Sequence, residues 1–369
     1  MPEALRVIRN RYPASRGDAR WVQVEKLVIS DKPGEVAKAE ALARQITAES
    51  PSLRVRAASI RAARKERRRF LRGQRDMESR MSLIFDAAAD KMAVVIVRNA
   101  GLDGKVSIGR TRRVMAALED LNREAYKAIN SNFLKGLRSS ASDGIKSAQK
   151  QAMAGIEMVK KVMQSEEGAA LRAVQGWVEL REVDPLRAIV DFGVGTTIFK
   201  RLFKGTLLDT MRAGLFGKKR VSNRIWDLRD ENKVRLKRLV GAGIARGDSA
   251  AKISRDIRGI LRRPATLRGF AFDIARPGAG VYRSAYKNAL RVTRTETNRA
   301  FVLADVNFAA EKKWKLIWVV SQGQREFDSC DLMASQSARK PFTPEEFAEK
   351  YPQHPADLCY SVMVFPEIE

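Results

Sequence analysis

Histidine and cysteine are almost missing from this chain: one His and two Cys among 369 residues. Two thiols in so long a chain do not make a disulfide framework. Clustered carboxylates and histidines, which a metal-dependent nuclease needs, are not found in the sequence either. Long apolar runs are also lacking. A bilayer span needs ~18 uninterrupted apolar residues, whereas the run 92–97 stops at Arg98 and the run 189–203 is broken by Asp191 and Lys200. At the N-terminus, Arg6, Arg9 and Arg11 interrupt any signal-like apolar core. These absences read as a soluble protein made in a reducing cytoplasm, with no membrane partner. Proline is sparse, with 12 in all and none between Pro51 and Pro185. A proline-free stretch rich in Ala, Lys, Arg, Glu and Met favours helix. Gly193, Gly195 and Gly205 form no phosphate-cradling loop, since no Gly-Lys-Ser/Thr follows them.

Acidic residues are scarce beside the basic ones: 43 Asp and Glu against 70 Lys and Arg, a formal net charge of +27. Solubility asks for a net charge of only roughly 2–8 in a small domain, so the excess points to a polyanion or an acidic protein as partner. A hydrophobic content of 44% and an aromatic content of 7% fit a folded chain. The pattern predicts a mainly α protein, an elongated helical body followed by a small α+β C-terminal module. Residues 1–55 read as an N-terminal arm punctuated by Pro13, Pro33 and Pro51, its apolar runs at 21–24 and 27–29 being strands or tethers. Residues 56–285 read as a basic helical body, and 286–369 as a further helix plus a β-containing module.

Within the body, a helix beginning at Leu53 carries Arg61, Arg64, Lys65, Arg67, Arg68 and Arg69 over a thin stripe of Ala58, Ile60, Ala63 and Phe70. These cations are candidates for contact with DNA or with an acidic protein. Arg255, Arg258, Arg262, Arg263 and Arg268 form a second candidate set. From Met77 to Leu180 the spacing predicts two to four helices. Met81, Ile84, Phe85 and Ala88 form one apolar face, Val114, Leu118, Leu121 and Tyr126 another, and breaks are expected at 101–109 and 139–144. Met153, Met158 and Met163 read as core filler.

Three segments follow one another in the second half. Ser222-Asn223-Arg224-Ile225-Trp226 precedes a helix through Leu236 and Leu239. Gly247 is placed to end a helix in the left-handed conformation, and Asp248 or Ser249 to cap the next, around Ile253, Ile257 and Leu261. After a basic connector comes Arg291-Val292-Thr293-Arg294-Thr295-Glu296-Thr297-Asn298-Arg299-Ala300. Leu290, Ala300, Phe301 and Val302 would face a core there, while Glu296 lies one turn from Arg299 and Asn298 one turn from Arg294. Leu316-Ile317-Trp318-Val319-Val320 and residues 360–365 are the expected strands.

This succession resembles the minor head proteins of tailed bacteriophages, the family of the phage Mu F protein and its portal-associated relatives. The resemblance covers roughly 220–369. It rests on the order of the Ser-x-Arg-Ile-Trp element, the helix junction and the Arg-Thr-Glu helix, with Arg224, Trp226, Arg294 and Glu296 as structural motif residues. It implies a non-enzymatic component of the virion capsid at the portal vertex, present in the host cytoplasm during assembly. It further implies partners in the portal protein, the major capsid protein and packaged double-stranded DNA, and a role in head assembly and in DNA packaging or delivery. The module would dock to the head or portal, and the basic helices would face DNA. Other classes remain open, namely a nonspecific DNA-binding protein and a nucleic-acid-processing enzyme.

In the same family Cys-x-x-Cys is followed by His-Pro-x-Cys-x-Cys, a spacing suited to structural zinc. Here Cys330 and Cys359 keep two thiol positions and His354 the histidine, while Met333 and Asp357 stand where thiols would be. Cys330, His354, Cys359 and an aspartate, Asp357 or Asp331, make a four-ligand set on paper. With half the thiols gone, the expectation is no cofactor, and packing of the cysteines as small apolar side chains.

Overall fold

The computed structural model describes residues 8, 18–29, 34–165, 201–202, 204–206, 208, 221–262, 284–321, 328–352 and 359–364. In chain order the elements are α1 (Trp21–Ile29), α2 (Glu35–Glu49), α3 (Pro51–Arg98), α4 (Ile108–Gln164), α5 (Val221–Ala245), α6 (Ala250–Leu261), α7 (Ala285–Lys312), β1 (Lys315–Val319), α8 (Ser329–Arg339), α9 (Pro344–Lys350) and β2 (Tyr360–Val364). The protein is mainly α with a small α+β module at its C-terminal end, as the sequence pattern predicts.

Two corrections concern local structure. The runs at 21–24 and 27–29 are not strands. They form α1, which buries Trp21, Val24 and Val28, spaced three and four apart on one helical face. The expected break at 139–144 is also absent, because α4 runs through it. Nothing in Ser139-Ser140-Ala141-Ser142-Asp143-Gly144 blocks the helical hydrogen bonds as proline would. The glycine is there for packing: a Cβ on Gly144 would lie 2.3 Å from the Phe301 carbonyl oxygen and 2.7 Å from Ala304 Cβ.

The chain forms two compact units: Met1–Phe70, Ser140–Leu207 and Asn298–Glu369 in the first, Leu71–Ser139 and Leu208–Thr297 in the second. In the first unit, α1 and α2 pack on each other through the α1 face above and Ala39, Ala43 and Ile46. Ala141, Ala148 and Ala152 of α4 are buried, and at Gly144 between them α4 lies close against Phe301 and Ala304 of α7. The module closes this unit. Strands β1 and β2 pair antiparallel, with Lys315 opposite Val364 and Trp318 opposite Ser361, and Leu316 makes a further bridge to Phe342. Helix α8 starts in a capping box of Asp328 and Asp331, and α9 in one of Thr343 and Glu346 with Pro344 in its first turn. Trp318 lies inside, its ring 5.0 Å from Phe347 and 5.3 Å from Tyr351.

The core of the second unit gathers Met81, Phe85, Met92 and Ile96 of α3, Val114, Leu118, Tyr126 and Phe133 of α4, Ile225, Leu236 and Val240 of α5, Ile253 and Ile257 of α6, and Tyr286 and Leu290 of α7. Phe85 meets Tyr126 and Tyr286 edge to face at 5.8 and 6.2 Å. The α5–α6 junction follows the sequence expectation. Gly247 has φ 68°, and the Ser249 hydroxyl caps α6 by accepting from Lys252 N.

Candidate nucleic-acid interface

Helical periodicity sorts the arginine-rich stretch of α3. Arg61, Lys65, Arg68 and Arg69 are exposed and Arg64 is half-buried. Arg67 is a correction to the DNA-contact set. It is 4% exposed, and its guanidinium lies 4.7 Å from the Phe70 ring centroid, 5.3 Å from Phe301 and 5.9 Å from Tyr360. A cation held over three aromatic faces is placed by cation–π attraction inside the fold, not offered to a phosphate. Arg69 is turned partly inward, pairing at 3.1 Å with Glu66, which also takes Lys150 at 2.6 Å.

Arg61 and Lys65, one turn apart, face α4 across a shallow cleft of about 330 Å³ floored by Ala58, Ala62, Ala154 and Met158. Lys161 and Glu157 complete the lining from α4. Three cations and one carboxylate thus line a groove between two helices. Lys161 was not legible in the sequence as part of this site, because α4 reaches it only through the unbroken run past Gly144.

The second basic set is divided. Arg255 is exposed on α6. Arg258 and Arg262 pair with Asp90 at 3.2 and 2.6 Å, so part of their charge is neutralised on the surface. Arg263 and Arg268 lie outside the described residues. Elsewhere in the second unit, Lys233 and Lys237 both hold Glu119, whose pKa they draw below its ordinary value through hydrogen bonds.

Two of the motif residues meet each other, and the others meet partners elsewhere in the chain. Arg224 Nη1 donates to Glu296 Oε1 at 2.9 Å, with the carboxylate side chain fully buried. Arg294 makes a two-pronged pair with Glu78 at 2.6 and 2.8 Å. Gln74 donates to the Thr297 hydroxyl at 3.2 Å. Asn298 donates to the Tyr351 hydroxyl and, at 3.4 Å, to the Cys359 carbonyl. Trp226, half-buried on α5, carries the Arg229 guanidinium 5.1 Å from its ring. Along α7, Arg294 and Thr297 are thus tied to α3 and Glu296 to α5 in the second unit, while Asn298 is tied to Tyr351 and Cys359 in the first.

One buried network was missed. Asp305 of α7 has no exposed surface, and its Oδ2 accepts from Ser361 Oγ at 2.9 Å and from Gln151 Nε2 at 3.1 Å. Gln151 Oε1 in turn accepts from the Met363 backbone N–H at 3.2 Å, which ties α4 and α7 to β2. Burial pushes the Asp305 carboxyl up to about 7, against the two hydrogen bonds and the nearby Arg67 charge, which pull the other way. A lone aspartate within a helix gave no sequence signal for this.

Cys330 and Cys359 are both buried free thiols. Asp331 is committed to the α8 capping box, accepting from Asp328 N. His354 and Asp357 lie outside the described residues. Among the described residues no three Cys, His, Asp or Glu side chains gather as metal ligands, so the arrangement supplies no positive case for zinc. Among those residues, too, no helix is long and apolar enough to cross a membrane. Comparison with protein-family models, with curated proteins and with solved structures finds no match to this chain.

Proposed function

We propose that the chain is a structural minor head protein of a tailed bacteriophage, placed at the portal vertex beside packaged DNA. The observation that carries the reading is the Arg224–Glu296 ion pair. It joins the Ser-x-Arg-Ile-Trp element to the Arg-Thr-Glu helix across 72 residues of chain, so the two strongest marks of the resemblance are also physical partners. Both charges are spent on each other in a partly buried pair, which suits a structural part better than acid–base chemistry. The exposed cations Arg61, Lys65, Arg68 and Arg255 support DNA contact, and the compact β-containing module supports docking to the head or portal, with no zinc or other cofactor required.

The direct test is a gel shift of the full chain with double-stranded DNA of unrelated sequences, beside co-purification with an assembled portal. Binding should be sequence-independent and should weaken by ~0.9 log units per tenfold rise in salt for each phosphate neutralised. Arg61→Glu with Lys65→Glu should weaken binding uniformly across sequences. No binding at ~50 mM salt, or strong preference for one sequence, rejects the DNA contact. Failure to associate with any portal oligomer rejects the placement. Full chains with point substitutions are required, because α7 supplies side chains to both compact units and a cut near residue 285 would damage each.

A further inference from the structure

The connection between α3 and α4 is a built hairpin. Ala100 and Val106 pair as an antiparallel bridge. The Gly101 N–H donates to the Lys105 carbonyl at 2.8 Å, and the Gly104 N–H to the Gly101 carbonyl at 3.0 Å. Gly104 has φ 70°, the left-handed residue that follows a tight turn in a three-residue hairpin loop. A side chain on Gly101 would sit 2.9 Å from Asp103 Oδ1, which accepts from Lys105 N to brace the turn. The tip is also clamped from outside: Lys105 bridges to Ser249, and the Ala250 N–H donates to the Gly104 carbonyl at 2.9 Å.

This rigid loop holds Leu102 wholly in solvent at its apex, 112% exposed, with Ile108 at 84% and Val97 at 55% on its shoulders. Among the described residues these are three of the most exposed large apolar side chains. Around them Arg98, Lys105, Arg110, Arg112 and Arg113 are exposed, and the one acid among them, Asp103, is turned onto its own loop. An apolar point in a cationic rim does not suit a second copy of the chain, whose tip carries the same charge. It suits a polyanion with an apolar interior.

We propose that this hairpin enters the minor groove of double-stranded DNA and that Leu102 is pressed between base pairs. Exposed Leu or Ile wedges flanked by Arg and Lys unstack and kink DNA in this way, and the unstacking is repaid by wider phosphate contact. The Ala250 and Ser249 clamp supplies the stiffness a wedge needs. The inference rests on the DNA contact proposed above and adds its mode.

The test uses the full chain and a duplex carrying 2-aminopurine beside its TA steps, with dyes at the two ends. Wild type should raise 2-aminopurine fluorescence and shorten the end-to-end distance. Leu102→Ala should keep most of the affinity and the melting temperature yet lose both signals, while Leu332→Ala, a control at another exposed leucine, should keep them. Wild-type binding with no fluorescence rise, or an undiminished rise with Leu102→Ala, overturns the wedge while leaving DNA contact intact. Absence of any DNA binding rejects the contact and the wedge together. Loss of portal co-purification by Leu102→Ala, with the fluorescence rise unchanged, makes the tip a protein-docking point and also overturns the proposal.

Discussion

Asp305→Asn should stabilise the first unit in mildly alkaline solution and do much less in mild acid. The carboxyl is fully buried, and its Oδ1 has no hydrogen-bond partner, so ionisation there is disfavoured. A folded-state pKa of about 7, raised above the ordinary 3.8, means that the folded state holds the proton more tightly than the unfolded chain does. The stability this contributes is complete below about pH 4, declines as pH rises, and is lost above about pH 7. At ~1.4 kcal/mol for each tenfold difference in proton affinity, the full swing is roughly 4 kcal/mol. Asparagine keeps an oxygen for Ser361 and Gln151 but does not titrate. Its own cost, an amide N–H₂ where Oδ1 stood, is the same at every pH and cancels in the comparison. The assay is hydrogen exchange at the Met363 amide, which Gln151 protects, with chemical denaturation alongside, for both proteins at about pH 5 and about pH 8. The variant's advantage should grow by a few kcal/mol between the two. An advantage that is the same at both values, or that shrinks with rising pH, would refute the reasoning.

Arg224→Ala should destabilise the second unit by about 3 kcal/mol in denaturant melts, because it strands the buried Glu296 carboxylate, and Glu296→Gln in the same background should restore part of the loss. Gly144→Ala should cost ~3 kcal/mol or more, since the new methyl meets the backbone carbonyl of Phe301. Gly136→Ala should be near neutral in the same melts, because its methyl meets only the flexible Met77 side chain and the helix gains ~1 kcal/mol from losing a glycine. Elemental analysis should find no stoichiometric zinc, and chelation should leave the circular dichroism of the full chain unchanged; a bound zinc lost together with structure in Cys359→Ser would overturn that expectation.

Local chemistry was enough for much of this protein. The proline-free, Ala- and Lys-rich middle determined long helices, the apolar spacing of Met81, Phe85, Val114 and Leu118 determined which faces are buried, and Gly247 with Ser249 determined one helix junction. Branched and aromatic residues at 316–320 and 360–365 marked the two strands. Those signals are carried within one or two turns of chain. What the tertiary structure decided depends on residues far apart in sequence. Arg67 looked like its neighbours, and only the rings of Phe301 and Tyr360 make it an interior cation. Gly144 looked like a break until the Phe301 carbonyl filled the space beside it. Met153 read as core and is 53% exposed, because an unbranched apolar side chain on a long helix carries no mark of which face will find a partner. Glu296 looked paired within its own helix, yet its partner is Arg224, brought to it by packing. Charge and helicity are properties of composition and period. Which charges are buried, and against what, is a property of contacts that no local pattern contains.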